Sequence, residues 1–129
     1  MPTFVKNIAF DCADAYELAR FWSRVLQHPM LDDDRPGDPE TAVLVPDGAN
    51  FYFQQVPEAK VVKNRLHVCL SPDIGRDAEV ERVRELGATI VDDCRNPDGT
   101  GWVVCADPEG NEFCVLRNEE ERHAHHSEN

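Results

Sequence analysis

The sequence predicts an α+β fold in which two β-α-β-β-β modules pair into a curved mixed-sheet cup with helices on its outer face. Three observations lead there. The polar turn Asp107-Pro108-Glu109-Gly110-Asn111-Glu112 runs straight into Phe113-Cys114-Val115-Leu116, and Asp47-Gly48-Ala49-Asn50 runs into Phe51-Tyr52-Phe53-Gln54 in the same way, sixty positions earlier. The openings Asn7-Ile8-Ala9-Phe10 and His67-Val68-Cys69-Leu70 are also sixty apart, as are Leu26 and Leu86 at the ends of two helical patterns. An offset held along a whole unit is the mark of a duplication.

In chain order, Lys6 to Cys12 alternates as a strand, with Ile8 and Phe10 on one face and Asn7, Ala9 and Asp11 on the other. Asp14, with Glu17 three residues on, starts a helix whose stripe is Leu18, Phe21, Trp22, Val25 and Leu26, and Pro29 ends it. The acidic, Pro-containing segment from Asp32 to Glu40 is an exposed loop. Ala42 to Val45 and Phe51 to Val56 form a hairpin around Asp47-Gly48. Pro57 to Asn64 links the halves. The second half repeats the order: strand Leu66 to Leu70, a helix from about Ala78 to Leu86 closed by Gly87, then strands Thr89 to Val91, Trp102 to Ala106 and Glu112 to Leu116. The modules span about 4–57 and 64–117 within one domain, 1–117, and the charged stretch 118–129 is a disordered tail.

With 129 residues and 41% apolar content, the chain can build one core. A formal charge of -12 disfavours nucleic acid, whose phosphates need Lys and Arg. No apolar run approaches the roughly 18 residues of a membrane span, and the N-terminus lacks a signal-peptide core, so the expectation is a soluble, cytoplasmic protein. Five cysteines without CxxC spacing read as reduced thiols, with Cys12, Cys69, Cys105 and Cys114 as buried small hydrophobes.

If the helices cover Ile8, Phe10, Phe51, Phe53, Val68, Leu70, Phe113 and Val115, the alternate residues line the open side: Asn7, Ala9, Asp11, Tyr52, Gln54, His67, Cys69, Glu112 and Cys114. A polar lining on a curved sheet suggests a small-molecule cup, with Trp102 as a wall. His67 suits proton transfer, since an imidazole titrates near neutrality, and Glu112 and Asp11 are its carboxylate partners. His123, His125 and His126 have no core to fix them as ligands.

Over residues 4 to 117 the chain resembles the vicinal oxygen chelate superfamily, which includes glyoxalase I, bleomycin-resistance proteins and extradiol dioxygenases, and looks most like its glyoxalase-like subgroup common in bacteria. Ile8-Ala9-Phe10-Asp11, Ala19-Arg20-Phe21-Trp22, Leu66-His67-Val68, Leu86-Gly87-Ala88 and Asp107-Pro108-Glu109-Gly110-Asn111-Glu112-Phe113 carry the resemblance. It implies a homodimer and, in catalytic members, a divalent metal held from the first and last strands of each module. Those positions fall on Asn7, Gln54, His67 and Cys114, whereas the family draws its quartet from His, Glu and Gln. Neutral amides do little to offset a hard cation's dehydration, and His67 with Cys114 suits zinc but supplies only two ligands. Three readings follow: a small-molecule binding protein of bleomycin-resistance type with no cofactor; a lyase, isomerase or dioxygenase with one divalent metal ion; and a metal-free acid/base enzyme using His67.

Overall fold

Strand alternation divides each sheet into a helix-covered and an uncovered face, and the rest of the architecture follows from that division. The computed structural model describes residues 2–124, in the order β1 (Asn7–Cys12), α1 (Ala15–Leu26), β2 (Glu40–Val43), β3 (Asn50–Gln55), β4 (Val68–Leu70), α2 (Arg76–Leu86), β5 (Thr89–Arg95), β6 (Gly101–Ala106), β7 (Glu112–Val115) and α3 (Glu119–Ala124). These make two mixed sheets, β1-β3-β2 and β4-β7-β6-β5, neither closed into a barrel among the described residues. The chain divides into compact units between Val61 and Val62, inside the linker that the sequence predicts.

In the first unit, Asp14 caps α1: its Oδ1 accepts the Glu17 N–H at 3.1 Å, satisfying a donor that a helix start otherwise leaves unpaired. The helix buries Ala15, Leu18, Ala19, Phe21, Trp22 and Val25, which is the predicted stripe with Leu26 half-buried at its end. It ends at Gln27, in the left-handed region at φ 57°, two residues before Pro29. Under the helix, Phe10 stacks on Phe53 at 4.9 Å between ring centroids and lies 5.3 Å from Phe51, while Trp22 meets Phe51 edge-on at 5.4 Å. The Thr41 hydroxyl donates to the Ala15 carbonyl at 2.7 Å and ties β2 to the same helix. Between α1 and β2 the chain makes one isolated bridge, Met30 with Val43. Pro29 has no N–H to donate, and the Asp-rich loop folds on itself: Arg35 donates to the Asp32 and Asp34 carbonyls and the Asp34 carboxylate accepts the Ala42 N–H at 3.0 Å.

In the second unit, Val80 and Val83 of α2 are fully buried, as are Val103, Cys105, Phe113 and Val115 of the sheet. Helix α2 begins two residues before the predicted Ala78, although Gly75 offers no side-chain cap. The cap comes from another element: Glu121 Oε1 accepts the Arg76 N–H at 2.9 Å. Glu121 belongs to α3, in the stretch read from sequence as a disordered tail. That turn is organised by a reciprocal box, in which Asn118 Oδ1 accepts the Glu121 N–H at 2.7 Å and Glu121 Oε1 accepts the Asn118 N–H at 2.9 Å. Residues 125–129, with His125 and His126, lie outside the described residues.

Strand β5 continues to Arg95, through residues expected to open a loop from Asp92 to Gly101. Arg95 holds it by pairing with Asp93 at 2.7 Å and Asp77 at 3.1 Å, and its hydrogen bonds keep the Asp93 carboxyl down at about 2. The remaining turn closes over Arg76, which is 5% exposed and donates Nη1 to the carbonyls of Gly99, Thr100 and Gly101 at 3.0–3.1 Å. Gly101 is obligatory there: at φ +95°, an added Cβ would sit 2.1 Å from the Cys94 carbonyl oxygen.

Arg76→Ala would take a donor from three carbonyls, of which Thr100 keeps the Asn96 N–H, and leave a void at the start of α2. It is expected to lower unfolding free energy by about 2–4 kcal/mol in chemical denaturation, with Arg76→Lys recovering less than half.

Candidate functional site

The sixty-residue offset holds through the helices but not to the last strand of each unit. Parallel pairing sets Ile8 against Phe51 in the first sheet and Val68 against Phe113 in the second, so the equivalent phenylalanines are sixty-two apart. Two additional residues in the second unit's connections account for the change. Consequently the counterpart of Cys114 is Tyr52, since Ala9 pairs with Tyr52 as Cys69 pairs with Cys114.

That register decides which candidate residues meet. Within the first sheet, Asn7 pairs with Asn50, whereas Gln54 pairs with Asp11, four residues further along β1. At about 3.3 Å per residue the two amides are roughly 13 Å apart along the sheet, too far to share an ion. Gln54 Nε2 also donates to Asp11 Oδ1 at 3.2 Å. Tyr52 donates its hydroxyl to Glu40, and desolvation together with that carboxylate raises its pKa. Asn7 and Asp11 are exposed and Tyr52 and Gln54 half-buried, so this face is polar and accessible.

In the second unit, His67 stands immediately before β4, two residues ahead of Cys69, and therefore points to the same side. Cys69 lies directly opposite Cys114 on β7. Both occupy the uncovered face because their neighbours Phe113 and Val115 fill the core. Cys69 is exposed, which corrects its reading as a buried hydrophobe; Cys12, Cys105 and Cys114 are buried as expected. The ligand atoms of His67, Cys69 and Cys114 all lie within 4.8 Å of one another. The sequence reading placed Cys69 among ligand contacts and not among the metal-ligand positions; its i+2 spacing from His67 was the available signal for their convergence. Trp102, 45% exposed, shares this face opposite Cys94.

Glu112 is committed elsewhere in part. Its Oε1 accepts the Asn64 N–H at 3.1 Å while Asn64 Oδ1 accepts the Glu112 N–H at 3.0 Å, which fixes the chain just ahead of β4 to the start of β7. The turn before it is self-sufficient: Asp107 Oδ1 accepts the N–H groups of Glu109 and Asn111 at 2.9 and 3.0 Å, and the Asn111 side chain donates back to the same carboxylate. The motif launches β7 rather than performing chemistry.

A hard divalent cation on Asn7, Gln54, His67 and Cys114 does not fit these residues. The two amides are separated along their sheet, and a thiol stands at the fourth position. Burial pushes the Cys114 thiol up to about 11, with neighbouring Cys69, Cys94 and Cys105 adding to the shift, and burial likewise raises Cys105 to about 11.

A model described as a glyoxalase-like domain matches residues 7–116. No curated protein matches by sequence. Among solved structures, the chain is similar to a fosfomycin resistance protein, FosX, from Mesorhizobium loti, at TM-score 0.68 and 19% identity, covering 96% of this chain and 99% of that one. It is also similar to a glyoxalase/bleomycin resistance protein/dioxygenase family enzyme from Burkholderia phytofirmans, at TM-score 0.66 and 15% identity over 88% and 97% of the two chains. A protein described as oxidase ChaP-H2 matches at TM-score 0.62 and 19% identity over 92% and 95%. At these identities the likeness is one of fold.

The raised thiols predict a pH response. A group whose folded pKa lies above its unfolded value contributes fully below the latter and loses that contribution as pH rises through the former. Stability is therefore expected to fall between pH about 9 and about 11. Denaturation curves of Cys105→Ala should show a shallower fall across that window; an unchanged slope would count against the assignment.

Proposed function

The chain belongs to the glyoxalase-like domain family of the vicinal oxygen chelate superfamily, and on that premise we propose that it binds a small organic molecule on the uncovered face of its second sheet. The observation that carries this reading is the convergence of His67, Cys69 and Cys114 on a face that also presents the exposed indole of Trp102. An aromatic plate beside a few polar groups is how small-molecule sites divide affinity from orientation. Asn7, Tyr52 and Gln54 are the ligand-binding candidates of the first sheet, and assembly as a homodimer belongs to the same proposal.

Binding is favoured over metal-free proton transfer because both candidate carboxylates are engaged. Glu112 accepts the Asn64 N–H and Asp11 accepts the Gln54 amide, so each is drawn on as a structural acceptor. His67 is then an orienting hydrogen-bond partner for the ligand.

Fosfomycin, bleomycin and catechol are suitable probes, the first two taken from the descriptions of similar proteins. At least one should quench the fluorescence of Trp102 saturably, with Trp22 buried in the core as the constant background. His67→Ala should weaken that binding by roughly tenfold, the loss of one hydrogen bond to a charged or polar group. Saturable binding that is unaffected by Trp102→Ala, followed by calorimetry, would place the ligand elsewhere.

A further inference from the structure

We propose that His67, Cys69 and Cys114 form a soft-metal site, of the kind that takes zinc or cobalt, contained wholly within the second unit. The inference concerns the same three side chains as the organic ligand above, rests on that reading for the place of the site, and starts from the misfit of Asn7, Gln54, His67 and Cys114 as a hard-cation quartet. Soft thiolates and imidazole select zinc over magnesium or manganese. Cys69 supplies the third donor that His67 and Cys114 lack by themselves.

The geometry is close to what such an ion requires. A tetrahedral zinc, with bonds of about 2.3 Å to sulfur and about 2.0–2.1 Å to nitrogen, keeps its donors roughly 3.5–3.8 Å apart. The three ligand atoms already lie within 4.8 Å of one another. His67 and Cys69 are exposed and can rotate inward, whereas Cys114 is held by the buried strand between Phe113 and Val115. Direct pairing of Cys69 with Cys114 across parallel strands fixes the two sulfurs relative to one another without any loop. Of the other cysteines, Cys105 is on the covered face of β6, Cys94 is two strands from β7 and Cys12 is in the first unit. Two Cys and one His are also the donor set of zinc sites that keep a fourth position for an outside ligand.

The test uses the full chain with His123, His125 and His126 replaced by Ala, kept reduced with a phosphine and titrated with Co2+. One equivalent should bind with a thiolate-to-cobalt charge-transfer band, and one equivalent of Zn2+ should bleach it while excess Mg2+ does not. Cys69→Ser should remove most of that band and weaken Zn2+ binding by roughly a hundredfold or more, whereas Asn7→Ala and Gln54→Ala should leave both unchanged. Cys69 is exposed, so its substitution should leave the fold intact, and circular dichroism checks this. Absence of the band, or a band that survives Cys69→Ser, would overturn the proposal.

Discussion

The structure depends on one constraint: each sheet has a helix on one face only, so every strand must sort its side chains by parity. Phe53, Phe113 and Val115 are fully buried against the helices, while Asp11 and Cys69, at positions of opposite parity, are exposed. Burial of the first set supplies the hydrophobic driving force, since each large apolar side chain removed from water is worth about 1.5–3 kcal/mol. The second set is left free of packing duties. A one-residue slip would exchange the two, so register is strongly specified wherever one face is buried.

Polar groups fix the second unit, some within a single turn and some between distant parts of the chain. Asp107 organises the turn before β7, Asn64 and Glu112 lock that strand's start, and Arg76 collects the carbonyls of the turn before β6. Such interactions add modest net stability, but leaving their partners buried and unpaired would cost more. They also explain why the most conspicuous sequence motif is not chemical. An Asp whose carboxylate already accepts three N–H donors has little capacity left for a ligand.

Much of the fold could be read from the chain. The Asp14 cap, the stripe from Leu18 to Val25 and the period-two strands are local signals, and local physics produced them. What escaped depends on distant partners. Helix α3 owes its order to Glu121 reaching the start of α2, and β5 extends because Arg95 meets Asp77 across the fold. The change of offset from sixty to sixty-two becomes visible only when strands are paired, and it moves the counterpart of Cys114 from Gln54 to Tyr52. The site was legible as a face but not as a constellation. Its composition followed from alternation; that Cys69 faces Cys114 followed from pairing.

The family's fold is thus retained, and its second module brings one imidazole and two thiols together, the donor set of the proposed soft-metal site. X-ray absorption at the zinc edge, on the protein loaded with one equivalent of Zn2+, tests this most directly. Two sulfur scatterers at about 2.3 Å and at least one nitrogen at about 2.0–2.1 Å are the predicted shell. A shell of nitrogen and oxygen alone would contradict it.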